Sequence, residues 1–466
     1  MEDEDELLQS ATCTDEESLS ESEDQCIPQE KPEETDLVQH LYTDHTKFEF
    51  FVVKSLLILS STAIIILLPL YLDSINKNSD VFVMFNFTSI ATCVLIAFIT
   101  FSTRRFCPKI KNINLCKPPL GWSKIILMLM IYLLMGFMIV FAVDRKRVMC
   151  HLQDPIKGVV LVFSLVNYFF FCQKMMGLQR IFSATTIIVG LFITVDYGLC
   201  DEFRCRGNER EHRSDDAGNW SWQTHSIWAA IYIVGLYLFA TFYTLLDRYL
   251  ISSETIIPSS LSNHLLATIS RIVAFQNSTS QLRTITTSSN KKNMSPLHFV
   301  LYLQGFSMII SCLVVFLDVV PFIGAVDTFP QLGEFLRYGF LCHFSFSENS
   351  PTCGYTAVYG WLFIVAYLIF LLCSIRFLIL CQSAVYTLAT MTTSLPLVGI
   401  WWSLFKMDST QIGLLDWSPS VTGELICALL GLPIVIIGLT LLCKNHFRDC
   451  KLSKMNMPCL TATQLA

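Results

Sequence analysis

Ten long apolar stretches dominate the pattern of hydrophobic and polar positions along this chain. Their apolar residues run almost continuously, and each stretch is close to the roughly 20 residues that a helix needs to cross a bilayer. Continuous runs predict helices, because the strands of an outer-membrane barrel alternate apolar and polar residues. We number these segments 1 to 10, and they cover residues 50–72, 81–102, 123–143, 157–175, 180–200, 226–246, 297–320, 357–377, 383–405 and 422–443.

The composition agrees with this pattern. Hydrophobic residues make up 53% of the 466 residues and charged residues only 15%, whereas soluble domains are about 25% charged. The mean hydropathy is +0.52. We therefore predict an all-α polytopic membrane protein with ten transmembrane helices.

The two ends of the chain are polar. The first forty residues contain 15 acidic residues and one Lys, with too little apolar surface to offset the entropy of ordering. Residues 1–46 are therefore predicted to be a disordered tail. This tail lacks the basic start and apolar core of a signal peptide, so we expect it to stay in the cytosol. With ten crossings, the tail at 444–466 is cytosolic too.

Loop charges test this orientation. The loop after segment 2 is basic and falls on the cytosolic side, as the positive-inside rule requires. The loop after segment 3 carries Arg145, Lys146 and Arg147 on the far side and violates the rule. A glycosylation sequon at Asn219 supports the orientation, because it lies in the predicted lumenal loop 201–225.

A long polar loop divides the apolar segments into two halves. Residues 247–296 are rich in Ser, Thr and Asn and are predicted to be a cytosolic linker loop. Segments 1 to 5 lie in residues 47–200, segment 6 in 226–246, and segments 7 to 10 in 297–443. Because five is odd, the halves enter the membrane in opposite directions, so we predict two inverted five-helix repeats, as in many secondary transporters.

The acidic tail contains a candidate sorting signal. Asp3, Leu7 and Leu8 fit the acidic dileucine pattern that clathrin adaptor complexes read. Such short motifs also arise by chance, but an exposed tail is accessible to an adaptor. We therefore expect a lysosomal or late endosomal membrane, with an acidic lumen on the far side.

Acidic residues gather at the predicted lumenal ends of the segments. Charges in a membrane are costly, so each one is a functional candidate. Asp196, Asp318 and Glu424 are the candidates for proton coupling, and Asp144 lies at the same level. Partly buried carboxylates can have raised pKa values and accept protons from an acidic lumen. Alternatively, they are interfacial residues that reach water and bind nothing.

Neutral polar residues occupy the middle of the segments. In lipid they need partners, so they should face the interior of the bundle. A neutral cavity suits zwitterions or peptides, whereas the alternative is hydrogen bonding between helices without a solute. Spacings of three and four put Gln304, Ser307 and Ser311 on one face of segment 7. The full set of cavity candidates is Asn86, Ser164, Asn167, Gln304, Ser307, Ser311, Thr390 and Thr393.

Two prolines interrupt apolar segments. Pro396 in segment 9 and Pro433 in segment 10 each remove a backbone N–H and should bend their helices. Such bends could serve gating or only packing.

Four loop cysteines, Cys200, Cys205, Cys342 and Cys353, fall on the lumenal side. They could form disulfides in an oxidising compartment or remain reduced. No CxxC metal pattern and no Walker A sequence are present, so we predict no metal site, no cofactor and no direct use of ATP. We expect no nucleic-acid partner.

The second half of the chain resembles a known family. The stretches FSMIISCLVVFLDVVPF, FLRYGFLCHFSFSENSPTCGY and SAVYTLATMTTSLPLVGIWWSLF follow one another. This order is similar to that in the chloroquine-resistance-transporter-like branch of the drug/metabolite transporter superfamily. There, a loop with a short amphipathic segment and disulfide-forming cysteines follows helix 7. In the first half, VLVFSLVNYFFFCQKMMGLQRIFSATTIIVGLFITVD resembles the family's helices 4 and 5.

The resemblance implies a fold and a function. It implies two inverted five-helix repeats and proton-driven export of amino acids, small peptides, thiol compounds or organic cations from an acidic organelle. By position, Cys342 and Cys353 in the loop 324–356 match the family's loop cysteines, and Asp196 matches an acidic position late in helix 5. Where family members can carry an acid near the end of helix 8, this chain has Ile379.

We therefore expect a proton-coupled secondary transporter and not an enzyme. One alternative is a receptor or scaffold that signals through the 247–296 loop. The least favoured alternative is an intramembrane transferase, because neither the nine scattered His residues nor the acids form a catalytic motif.

Overall fold

The computed structural model describes most of the membrane body of the chain. The described residues are 32–76, 79–106, 118–172, 176–195, 221–251, 295–320, 326–345, 353, 355–407 and 415–455. The chain divides into two units, Met1–Glu49 and Phe50–Ala466. Several predicted features lie outside the described residues, namely Asp3, Leu7, Leu8, Asp196, Cys200, Cys205 and Asn219, together with most of the linker at 247–296.

Apolar helices make up the described membrane body. Nine of them are long and apolar enough to cross a membrane in the part of the chain that the structure describes. A tenth apolar helix, Leu178–Thr194, has 17 residues and is shorter than the rest. The prediction of an all-α polytopic membrane protein is confirmed at this level.

Each predicted apolar segment overlaps one of these helices, or two consecutive pieces of one, and the segment number is kept for the observed helix. A loop helix, Phe329–Phe344, lies between segments 7 and 8. In chain order, segments 1 to 10 correspond to Pro32–Ile75, Val81–Phe106, Trp122–Val143, Cys150–Gly158 with Val160–Asn167, Leu178–Thr194, Trp222–Ile251, Pro296–Val314, Thr356–Cys381, Ala384–Thr392 with Ser394–Leu404, and Gly423–Met455. Short helical turns at Asp144–Lys146, Tyr168–Cys172 and Val315–Val319 extend segments 3, 4 and 7.

The first helix differs from the prediction at its start. It begins at Pro32, so residues 32–46 of the tail predicted to be disordered are helical. Pro fits the first turn of a helix, where its missing N–H leaves no bond unmade. The apolar helix that follows supplies a nucleus from which further turns extend at little cost.

The two prolines predicted to bend their helices lie in different surroundings. Segment 9 breaks at Thr393, between Ala384–Thr392 and Ser394–Leu404. Pro396 has no N–H for the carbonyl of Thr392, four residues earlier, so the backbone hydrogen bond across the break cannot form. In segment 10, by contrast, the helix Gly423–Met455 continues through Pro433.

Segments 5 and 10 pack through glycines. A Cβ atom on Gly431 would lie 2.1 Å from Thr194 Oγ1 and 2.6 Å from the carbonyl oxygen of Gly190. A Cβ on Gly438 would lie 2.7 Å from Ile187 Cγ1. Small residues let helix backbones approach closely in lipid. Segments 5 and 10 thus form a tight pair.

The other segments pack in further pairs. Segment 2 packs against segment 7, and segment 3 packs against segment 6, which also contacts segment 4. A short hairpin joins segments 9 and 10, with strand β1 (Phe405–Met407) antiparallel to β2 (Leu415–Trp417) and Lys406 opposite Asp416. The buried apolar core extends through all of these contacts.

Candidate functional site

The centre of the bundle contains a cavity of about 270 Å³. Residues of segments 1, 2, 3, 4, 6, 7, 8 and 9 line it, and none of its described lining residues comes from segments 5 or 10. Most of the wall is apolar, with many Phe and Tyr rings. In other proteins, pockets with an apolar wall and a few polar groups bind small molecules.

One group of hydrogen bonds crosses the cavity wall. The Thr92 hydroxyl lies 3.1 Å from Gln304 Oε1, to which it can donate, and Gln304 Nε2 donates to the Tyr132 hydroxyl at 2.7 Å. The Tyr132 hydroxyl is in turn hydrogen-bonded to that of Tyr367. These contacts join segments 2, 7, 3 and 8. Buried polar groups in such a network specify one arrangement of their helices.

The predicted cavity residues fall into two sets. Gln304, Ser307 and Ser311 line the cavity together, on the face that their spacing indicates. Asn86, Ser164, Asn167, Thr390 and Thr393 are buried outside its described lining.

The second set bonds mainly within or between helices. Asn167 donates to the Thr241 hydroxyl at 2.9 Å, from segment 4 to segment 6. Thr390 donates to the carbonyl oxygen of Tyr386 at 2.9 Å, and Thr393 to that of Ala389 at 3.1 Å. For these three residues, the structure favours the alternative of helix-to-helix and intrahelical bonding.

Lys157 is the only charged residue in the described lining of the cavity. Its ammonium lies 2.8 Å from Asp154 Oδ1, and the two side chains are 18% and 32% exposed. In the predicted segments Lys157 is the first residue of segment 4, where a cation is ordinarily an interfacial anchor. Because the helix instead begins at Cys150, Lys157 lies two turns inside it. The expectation of an uncharged cavity therefore does not hold at this residue.

A carboxyl pair lies where segment 7 meets the start of segment 2. Asp318 ends segment 7 and is fully buried, while Asp80 precedes segment 2 and is 4% exposed. The two carboxyl groups are close enough to interact electrostatically. Burial, and then the neighbouring Asp318, raise the pKa of Asp80 to about 8. Asp80 also accepts the Val83 N–H at 3.2 Å.

Asp80 is a residue that sequence reasoning missed. It lies in the short connection between segments 1 and 2, where an acid is most simply a solvated loop residue. The signal that could have found it is its position directly before a helix, where Asp often accepts a backbone N–H.

Asp144 belongs to a separate buried cluster at the same end of the bundle. Asn76 Nδ2 donates to Asp144 Oδ1 at 2.7 Å, and Arg147 Nη1 lies 3.4 Å from Oδ2. The Arg147 guanidinium also lies 4.6 Å from the ring centre of Trp228. Burial raises the pKa of Asp144, although Arg147 and Asn76 oppose the shift. Arg147, one of the cations that violate the positive-inside rule, thus compensates a buried acid.

The loop helix Phe329–Phe344 covers this end of segments 1 and 2. His343 Nδ1 lies 2.6 Å from the carbonyl oxygen of Gly339, and its Nε2 is hydrogen-bonded to the Tyr71 hydroxyl. Nδ1 must donate to the carbonyl, which assigns Nε2 as the acceptor from Tyr71. Burial lowers the pKa of His343 to about 4, so the ring is neutral near pH 7.

Two further contacts hold the loop helix in place. A Cβ on Gly339 would lie 2.4 Å from Val83 Cγ1, so the helix backbone touches the start of segment 2. Cys342 forms a disulfide with Cys353, the pair that the family resemblance implies. The covalent link ties the loop helix to the chain just before segment 8.

Glu424 lies apart from the cavity. It is half-buried in the first turn of the helix Gly423–Met455 and is not among the described lining residues. A carboxylate at this position is stabilised by the positive end of the helix dipole. Glu424 therefore does not contribute to the described lining of the cavity.

The described residues contain no group of three or more His, Cys, Asp or Glu that could hold a metal ion. Comparisons of the chain with family models and with curated proteins find no match. Its function must therefore be inferred from its own cavity, carboxyl pair and helix packing.

Proposed function

We propose that the protein is a proton-coupled secondary transporter of the lysosomal or late endosomal membrane. It exports small solutes from the acidic lumen to the cytosol, within the class of amino acids, small peptides, thiol compounds or organic cations. The observation that carries this proposal is a central cavity, lined by eight segments, in a bundle that also buries two neighbouring carboxyl groups, Asp80 and Asp318, at one end.

Helix packing supports ten crossings in two inverted five-helix repeats. Exchange of the two halves would match segment 2 with 7 and segment 5 with 10, and each of these matched segments packs against its counterpart. The same exchange turns segment 2 into segment 7 and segment 8 into segment 3. A contact of segments 2 and 8 should therefore be matched by one of segments 3 and 7, and both contacts are present. Secondary transporters bind solute between such repeats and rock one against the other.

The carboxyl pair supports proton coupling. Burial and the neighbouring Asp318 raise the pKa of Asp80, so this carboxyl binds a proton near neutral pH where the start of segment 2 meets the end of segment 7. Loss of that proton places a buried negative charge at this contact, which is costly. Binding of a proton at the lumenal end would therefore favour one arrangement of the two halves, and release of that proton would favour another.

The orientation and address are also part of the proposal. The Cys342–Cys353 disulfide suits an oxidising lumen on the side of the carboxyl pair. Both termini then face the cytosol, where Asp3, Leu7 and Leu8 would bind clathrin adaptor complexes.

The test is efflux from proteoliposomes that contain the purified protein and an acidified lumen. Labelled amino acids, dipeptides, glutathione-like thiols and organic cations are loaded, and their exit is followed with and without a pH gradient. We expect at least one class to leave faster when the gradient is present. If no class moves under either condition, the receptor or scaffold alternative replaces transport.

A further inference from the structure

Segment 4 contains two buried polar atoms that have no hydrogen-bond partner within the described residues. They are Ser164 Oγ and Asn167 Oδ1. The two residues are 0% and 1% exposed, and both lie outside the described lining of the central cavity. Buried polar atoms in native proteins nearly always have a partner. These two atoms therefore indicate a ligand other than the solute of the cavity.

Thr241 on segment 6 fixes the orientation of the Asn167 amide. The Thr241 hydroxyl lies 2.8 Å from the carbonyl oxygen of Tyr237 and must donate its single proton there. Towards Asn167 it can only accept, so the amide group 2.9 Å away is the donor Nδ2. Oδ1, which can only accept, is the atom left without a partner. This arrangement favours a ligand that takes electron pairs from oxygen.

Ser164 and Asn167 present their oxygens on one side of segment 4. Residues three apart are neighbours on a helix surface. Segment 4 packs against segment 6 and against the first piece of segment 9, Ala384–Thr392. The two unpartnered atoms belong to buried residues in this region, so oxygens of segments 6 and 9 are the candidates to complete a site.

Thr390 supplies such an oxygen from segment 9. It is fully buried, and its hydroxyl donates to the carbonyl oxygen of Tyr386 at 2.9 Å, so it offers lone pairs to any further partner. Asn167, Thr241 and Thr390 also lie at a similar depth. Each is within eight residues of the helix end opposite the carboxyl pair, or about 12 Å at 1.5 Å per residue. These helix ends are Phe171, Tyr249 and Ala384.

The chemistry of these oxygens suits a monovalent metal ion. Divalent Ca²⁺ and Mg²⁺ are ordinarily held with the help of carboxylates, whereas all four side chains here are neutral. Secondary transporters bind Na⁺ with neutral oxygens at irregular helices. Both segment 4 and segment 9 are irregular, because a π-helical turn, Tyr168–Cys172, directly follows Asn167 and segment 9 breaks at Thr393. Such π turns are rare and often mark functional sites.

We propose that Ser164, Asn167, Thr241 and Thr390 form a binding site for Na⁺ between segments 4, 6 and 9. The bound ion satisfies the two buried atoms of segment 4 and fastens three segments together. This site goes beyond the proposed transport function and does not rest on it, since binding of the ion can be measured without any solute.

The test is equilibrium binding of radioactive Na⁺ to the full chain purified in detergent. We expect saturable binding of one ion per chain, which unlabelled Na⁺ displaces and choline does not. Ser164→Ala and Asn167→Ala each remove one ligand and should weaken binding about tenfold, the effect of one lost polar contact. Asn167→Asp keeps Oδ1 and adds a negative charge, so it should bind at least as tightly as the wild type.

Ser60→Ala is the matched control. Ser60 is also a buried serine of an apolar helix, but its hydroxyl donates to the carbonyl oxygen of Leu57 at 3.2 Å. This variant should bind Na⁺ as the wild type does. A ligand of the folded state also raises the melting temperature, so NaCl should stabilise the wild type and Ser60→Ala more than choline chloride does. Should Ser164→Ala fail to fold, Thr390→Val removes a different hydroxyl with the same expected loss of binding.

Two results would overturn the proposal. Absence of saturable Na⁺ binding to the wild type would mean that the buried atoms bind water only. Unchanged binding in Ser164→Ala, Asn167→Ala and Thr390→Val would place the ion elsewhere. Neither result depends on solute efflux. Failure of the transport function would therefore leave this site intact, and loss of the site would leave the transport proposal intact.

Discussion

Segments 5 and 10 meet through backbone contacts at glycines, whereas the other eight segments enclose a cavity of about 270 Å³. Both regions consist of apolar helices of similar composition. They differ in residue size at the contact, because Gly190, Gly431 and Gly438 allow close approach, while rings such as Tyr132 and Phe363 stand between the helices of the cavity.

This difference indicates what each region can do. Close-packed interfaces have few alternative arrangements, since every contact is lost if the helices separate. A cavity bridged by a few hydrogen bonds can repack at lower cost. In the proposed transporter, the 5–10 pair is the fixed contact between halves, and the cavity is where the arrangement changes. Substitutions at the 5–10 pair should therefore mainly lower stability, whereas substitutions at the cavity should mainly lower transport.

The largest effect is expected at the tight pair. Gly431→Val would place side-chain atoms where Thr194 Oγ1 and the Gly190 carbonyl already lie, because the first added atom alone would be 2.1 Å from that hydroxyl. Overpacking of this kind costs about 1–3 kcal/mol or more. We expect a lower melting temperature in detergent and a lower yield of monodisperse protein.

Gly305→Ala is the control for this substitution, since a Cβ there has nothing within 4 Å. It should not lower the stability, because Ala is favoured over Gly in a helix interior by about 0.5–1 kcal/mol. Equal melting temperatures for the two variants would contradict the tight contact of segments 5 and 10.

A large effect on transport, with a smaller effect on folding, is expected in the cavity. Gln304→Leu removes the amide between Thr92 and Tyr132 and leaves buried hydroxyls without that partner. Both hydroxyls keep another partner, Thr88 for Thr92 and Tyr367 for Tyr132, so the loss is about 0.5–1.5 kcal/mol per hydrogen bond. Since these bonds connect segments 2, 3 and 7, we expect the rate of solute efflux to fall about tenfold. The exposed Thr440→Val, on segment 10, should leave efflux unchanged. Normal efflux in Gln304→Leu would show that the network has no role in transport.

The carboxyl pair should make stability depend on pH. The pKa of Asp80 is about 8 in the folded protein, whereas the ordinary pKa of an aspartate is 3.8. Between these values the folded state binds more protons than the unfolded state, so stability falls as pH rises. We expect the wild-type melting temperature to decrease from pH 5 to pH 8, and that of Asp80→Asn to change less.

Asp416→Asn is the matched control, because this acid is exposed on strand β2. It should keep the wild-type dependence on pH. An unchanged slope in Asp80→Asn would refute the raised pKa of Asp80.

The smallest effect is expected where the loop helix meets segment 1. Tyr71→Phe removes the hydroxyl that donates to His343 and keeps the ring. The loss of one neutral hydrogen bond should lower the free energy of unfolding by about 0.5–1.5 kcal/mol. If the loop helix is instead held mainly by Gly339 and the disulfide, Gly339→Val will destabilise far more than Tyr71→Phe in the same thermal assay.

Much of the fold and part of the site could be predicted from local patterns. The apolar runs located the helices, and the spacing of Gln304, Ser307 and Ser311 placed them on one face. Asp80 and Lys157 could not be identified in this way. Each lies near a helix start, and only the packing of other segments decides whether such a residue faces water, another acid or a cavity.

The sequence by itself determined that this is a helical membrane protein. In lipid every backbone polar group needs a hydrogen-bond partner, and a helix supplies these partners within a single long apolar run. The tertiary structure alone decided which helices touch. It brought Asp80 close to Asp318, placed Lys157 at the cavity and left segments 5 and 10 out of the described part of the cavity wall. These contacts join residues far apart in the chain, and they depend on side-chain volume and helix crossing, which a one-dimensional pattern does not contain.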